Sequence, residues 1–182
     1  MNRTFKRAII CITLTMWSVI ALSQNSDDCK YLSVLTYLRT NKAVNEKIKV
    51  FFPRQVRKKD KYIDFNLSDR IDFIGISSFK ERLKEKKYII DVELLDNSQL
   101  YYKKFYFESY NSDFLKRLVE QNSSNLFLTF SSPINDYLVV ELGDFDPAIN
   151  LRVKYGRGMQ MFFKFDSRGR IEDVLFSGAA YN

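Results

Sequence analysis

The sequence predicts an α+β fold: a curved antiparallel β-meander of eight or nine strands with about three helices on one face. Two observations lead there. Short runs of alternating apolar and polar residues recur along the chain, separated by turn residues, and three segments instead carry helical spacing with caps. Strands do not alternate with long helices, which argues against a parallel α/β sheet. A β-barrel or sandwich with peripheral helices is the alternative arrangement of the same elements.

The first helix is expected over about Asp27 to Asn41. Ser26 can cap it, Asp27 and Asp28 suit its positive end, and Arg39 and Lys42 suit the other. Tyr31, Val34, Leu35 and Leu38 share one face. Period-2 alternation then predicts strands at Ile48, Val50 and Phe52 and again at Ile63, Phe65 and Leu67. The polar turn Arg57-Lys58-Lys59-Asp60 would join them into a hairpin, with Pro53 marking an edge or a bend. Ser78-Phe79-Lys80-Glu81 reads as a capping box, opening a short helix to about Lys86 in which Phe79 and Leu83 pack inward. Strands over 90–94 and 100–108 flank the turn Asp96-Asn97-Ser98. Asn111 or Ser112 can cap a helix from Asp113 to about Gln121. The rest reads as strands at 126–130, 137–142, 151–155, 159–165 and 171–176, the last two joined by the tight turn Asp166-Ser167-Arg168-Gly169.

Arg3, Lys6 and Arg7 precede an apolar stretch from Ala8 to Leu22, and Ala21-Leu22-Ser23 offers the small residues of a cleavage site. Residues 1–23 are therefore expected to be a signal peptide and 24–182 a single α+β domain. The stretch is shorter than the ~20 apolar residues a spanning helix needs. Export places the protein in the periplasm or outside the cell. The chain has 182 residues with net charge +7. Cleavage after Ser23 leaves 159 residues and +4, because three cations and no acids are lost. Cys29 is then a single thiol, expected as a small buried residue.

The sequence contains no histidine. This removes histidine-based triads, general bases and metal ligands. Five candidate sets remain. Lys47, Lys49, Arg54, Arg57, Lys58, Lys59 and Lys61 face only Asp60, a local +6 over 47–61. Such a basic end would attract an anionic lipid, an acidic glycan or an acidic protein partner, while nucleic acid is not expected for an exported chain. Tyr102 and Tyr106 share a strand face about 7 Å apart, a spacing that could stack on a sugar or peptide. Asp144, Asp146 and Asn150 begin like a calcium loop, although Pro147-Ala148-Ile149 break the pattern. Glu141 with Asp144 and Asp146 could pair for acid–base work on a glycosidic bond. Ser77 and Lys80 match S-x-x-K, but the companion motifs of that chemistry are absent. No catalytic set and no cofactor is expected. The sequence thus reads as an exported non-catalytic binding or accessory protein of the cell envelope. A carboxylate-based glycan hydrolase and a structural subunit pairing through sheet edges are the other classes.

Overall fold

A computed structural model describes residues 26–56, 62–72, 74–88, 110–119, 124–144 and 156–181. The fold is α+β. Four α-helices, α1 (Ser26–Thr40), α2 (Lys42–Phe51), α3 (Lys80–Glu85) and α4 (Asp113–Leu118), accompany one mixed sheet among the described residues. A 3-10 turn, Ser77–Phe79, leads into α3. The strands are β1 (Asn66–Ile71), β2 (Tyr110–Asn111), β3 (Phe127–Phe130), β4 (Tyr137–Gly143), β5 (Gly156–Phe165) and β6 (Ile171–Tyr181). They lie in the order β2-β1-β3-β4-β5-β6, with β2 a two-residue stub at one edge and β6 at the other.

The antiparallel meander is present from β3 to β6. The described residues form five strands of four or more residues plus the β2 stub, out of the eight or nine expected. Two features are corrected: among the described residues the sheet is not closed into a barrel, and β1 runs parallel to β3, so the sheet is mixed. The strands expected at 90–94, 100–108 and 151–155 lie outside the described residues.

The expected strand at 48–52 is instead the end of helix α2. Ile48, Val50 and Phe52 alternate in sequence, yet Val50 is 81% exposed. What packs inward is the helical set Val44, Asn45 and Ile48. The Asn41 side chain accepts from the Val44 N–H at 3.1 Å and starts this helix, the ordinary work of an N-cap asparagine. Buried Asn45 then ties three segments together. Its Nδ2 donates to the carbonyls of Leu38 (3.0 Å) and Asn41 (2.7 Å), and its Oδ1 accepts from the Ile63 N–H at 3.2 Å.

The two faces of the sheet are covered differently. On one, Leu128, Phe130, Leu138, Val140, Leu142, Met159, Met161, Phe163 and Phe165 meet Tyr31, Val34, Leu35 and Leu38 of α1, Val44 and Ile48 of α2, and Leu115 of α4. On the other, Val139, Phe162 and Leu175 meet Ile74, Ile76, Phe79 and Leu83. Helices therefore cover both faces, not one. Strand residues alternate between faces, so one register supplies both layers. Phe79 and Leu83 pack inward as expected, but the capping box does not form: neither the 3-10 turn nor α3 has a side-chain cap. Ser78 Oγ instead donates to Gln160 Oε1 at 2.9 Å. Ser112 does cap α4, accepting from the Leu115 N–H at 3.2 Å.

Candidate functional site

The outer strand β6 is where the sequence-predicted basic segment reaches the sheet. Helix α2 ends beside it. Lys47 Nζ lies 4.2 Å from the centre of the Phe176 ring, and the Phe51 ring lies where a Cβ at Gly178 would stand, 2.8 Å from its Cε2. Glycine at 178 is thus what lets α2 close onto the strand. Arg157 on β5 is paired with Ala180; its guanidinium stacks 5.4 Å from the Phe51 ring and donates to the Phe51 carbonyl at 3.5 Å. From the opposite face, Arg82 of α3 donates to the Phe176 carbonyl. Three cations from three elements therefore converge on residues 176–180 of one strand. Among the described residues no carboxylate pairs with their side-chain cations, although Asp144 accepts from the Arg157 main-chain N–H. Aromatic contact holds Lys47 and Arg157 in place without neutralising them.

The other predicted cations are placed as follows. Lys49 pairs with Glu46 at 3.0 Å on α2. Arg54 is exposed on the turn after α2. Arg57, Lys58, Lys59 and Lys61 lie outside the described residues. The expected basic hairpin is corrected in its first half, where Lys47 and Lys49 ride on a helix.

Of the acidic candidates, Glu141 and Asp144 lie among the described residues and have separate partners. Glu141 is 3% exposed and accepts from Gln160 Nε2 at 3.4 Å. Asp144 belongs elsewhere: Oδ1 accepts from the Arg157 N–H at 2.7 Å and Oδ2 from Gln55 Nε2 at 3.0 Å. Glu141 and Asp144 are not bonded to each other, and Asp146, the third carboxylate of the expected set, lies outside the described residues. The first two stand three apart on an extended chain, and an odd spacing sends side chains to opposite faces. Asp144 closes the open end of the β4–β5 ladder, and Asp146 and Asn150 lie outside the described residues. No group of three or more acid, cysteine or histidine side chains gathers among the described residues.

Glu141 is instead one member of a polar row. Thr129, Glu141, Gln160 and Ser177 stand in register across β3, β4, β5 and β6. Ser78 joins through Gln160, so the row fastens the start of the 3-10 turn to the sheet. Gln160 bonds to both Ser78 and Glu141, which gives the buried Glu141 a partner through Oε2. Farther along the same face, Asp173 Oδ2 accepts from Tyr88 Oη at 2.6 Å and from Lys86. Burial would raise the Asp173 carboxyl, but these hydrogen bonds and that of the Val174 N–H hold it below its ordinary value. Burial and the same contact push the Tyr88 phenol up.

Ser77 is exposed on the 3-10 turn and Lys80 opens α3. Cys29 is exposed, not buried as expected: on α1 the inward stripe is Tyr31, Val34, Leu35 and Leu38, and position 29 falls outside it. Tyr102 and Tyr106 lie outside the described residues, as does the expected signal peptide. No helix among the described residues is long and apolar enough to cross a membrane. Sequence reasoning missed Arg82 and Arg157. Neither belongs to a charge run, and only the β5–β6 register and the packing of α3 bring them to Lys47. Comparison with known protein families, with curated proteins and with solved structures finds no match to this chain.

Proposed function

We propose that this chain is an exported, non-catalytic binding protein of the cell envelope whose basic sheet edge engages an anionic partner. The observation that carries the reading is the convergence of Lys47, Arg82 and Arg157 on residues 176–180 of β6. Charges of one sign gathered at one place raise the local concentration of the opposite sign and steer encounter. The expected leader peptide at 1–23 supports export, and Lys47 opens a sequence run of net +6 over 47–61.

Binding to poly-glutamate, an acidic polysaccharide and vesicles of anionic lipid tests the reading. At least one is expected to bind, with affinity falling as salt shortens the Debye length from about 10 Å to about 3 Å. Lys47→Gln with Arg157→Gln should weaken that binding about tenfold or more, a loss of about 1.4 kcal/mol. Equal, salt-insensitive binding by the wild type and the double variant overturns the reading, as does binding to none of the three.

A further inference from the structure

The main chain of β6 divides into a closed half and an open half. In an antiparallel ladder, residues whose N–H and C=O pair with the neighbour alternate with residues whose groups point away. The Val174 N–H donates to Asp173 Oδ1 at 2.9 Å and the Phe176 C=O accepts from Arg82. Neither group turns toward β5. The even-numbered residues of this stretch thus direct their main-chain groups to the outer side of the sheet. The register runs unbroken from Asp173↔Lys164 to Tyr181↔Gly156, so Gly178 and Ala180 share that direction. Side chains cap the strand at 174 and 176, a common way to blunt a sheet edge. Among the described residues, no side chain caps the Phe176 N–H or the main-chain groups of Gly178 and Ala180.

We propose that residues 176–180 of β6 accept an extended acidic polypeptide as an added strand. The proposal rests on the anionic-partner reading above and names the partner's chemistry. Main-chain groups of residues two apart recur at about 7 Å, the repeat a polypeptide matches along its length. The chemistry of the flanks selects the sign: Lys47 and Arg157 stand on one face of this segment, and Arg82 reaches it from the other. A second copy of this chain is the other natural occupant of an open edge. Two-fold pairing would bring these three cations against their own duplicates, and like charges across an interface oppose association. The capped half sets the register, because a strand laid along 176–180 finds no open main-chain group at the Val174 N–H or the Phe176 C=O.

The probe is a peptide of about eight residues alternating Glu and Thr, the length of an ordinary strand. Its counterpart is N-methylated at alternate positions on the pairing edge, which keeps the charge and removes the donors. The full chain is expected to bind the first peptide about tenfold more tightly than the second. Ala180→Pro removes one outward N–H and no bond to β5, a place where a strand tolerates proline. It should weaken the first peptide about fivefold and leave the weaker, charge-only binding of the N-methylated peptide unchanged, with the circular dichroism of the wild type retained. Equal binding of both peptides, lost together in the Lys47→Gln, Arg157→Gln variant, overturns strand addition while the basic-edge reading stands. Binding of neither peptide overturns strand addition as well. Concentration-dependent dimerisation of the wild type that Ala180→Pro abolishes assigns the edge to a second copy and overturns the proposal.

Discussion

Among the described residues, one face of the sheet is covered by three helices and the other by one short helix and its leading turn, and the two are held by different chemistry. The α1–α2–α4 face is apolar almost throughout, filled by Phe130, Phe163 and Phe165 against the stripes of α1 and α2. The α3 face has a smaller apolar patch around Phe79, Leu83 and Phe162. It is fastened at its margins by polar contacts: Ser78 to Gln160, Arg82 to Phe176, and Tyr88 and Lys86 to Asp173. Apolar burial is non-directional and scales with area, so it suits a broad face. Hydrogen bonds are directional, so they suit a six-residue helix that must be set in one place. The face closed by polar fasteners is also the one from which Arg82 reaches the edge of β6.

Truncation separates the two faces most sharply. Phe163→Ala, in the fully buried layer under α1, should destabilise the fold by about 3–5 kcal/mol in denaturant unfolding. Leu83→Ala on α3 should cost about 2–3 kcal/mol, because a short helix can settle into part of the space left. Equal losses at the two positions would erase the distinction.

A smaller effect should come from Asp173, and it should depend on pH. Its folded-state carboxyl sits below the ordinary value. The stability it contributes is thus present above the unfolded value near 3.8 and is lost as pH falls through the folded one. Asp173→Asn should cost about 1–2 kcal/mol at neutral pH, and the cost should shrink as pH falls below 3.8 and on through the lower folded-state value, measured as the difference in unfolding free energy between the two proteins. A loss independent of pH would mean that Asp173 acts by packing rather than charge.

The smallest change should be a gain. Lys87 follows α3 with φ 54°. The Tyr88 N–H donates to the Leu83 carbonyl at 3.1 Å and the Lys87 N–H to that of Lys84 at 3.0 Å, which closes the helix in the Schellman manner. Glycine adopts this conformation without the Cβ penalty, so Lys87→Gly should add about 0.5–1 kcal/mol and raise the thermal midpoint.

Elements whose signals are local were legible in the sequence. Helix α1 declared itself by its acidic first turn and its stripe, and β4, β5 and β6 by alternation and by the turn around Gly169. Helix α2 was misread because Ile48, Val50 and Phe52 alternate, while its true inward face includes a polar residue, Asn45, whose partners come from three segments. The parallel pairing of β1 with β3 joins residues 66 and 127, and no local pattern encodes a partner so distant. The basic edge was half legible. Lys47 stood in a charge run, but Arg82 and Arg157 become its neighbours only through the fold. Glu141 and Asp144 take separate partners for a reason already in the sequence, their odd spacing on an extended chain.

The β5–β6 hairpin also bears on the order in which the molecule assembles. Its ten registered pairs begin at Phe165↔Ile171, beside a turn in which Gly169 has φ 72° and Asp166 accepts from the N–H groups of Arg168 and Arg170, each at 2.9 Å. Closing that loop spans six residues, whereas joining β1 to β3 spans 61. The longer closure is about three doublings, or roughly 2 kcal/mol of additional chain entropy, before any contact repays it. The hairpin should therefore be structured in the folding transition state, with β1 docking afterwards. Substitutions around Gly169 should mainly slow folding, and those in β1 should mainly speed unfolding.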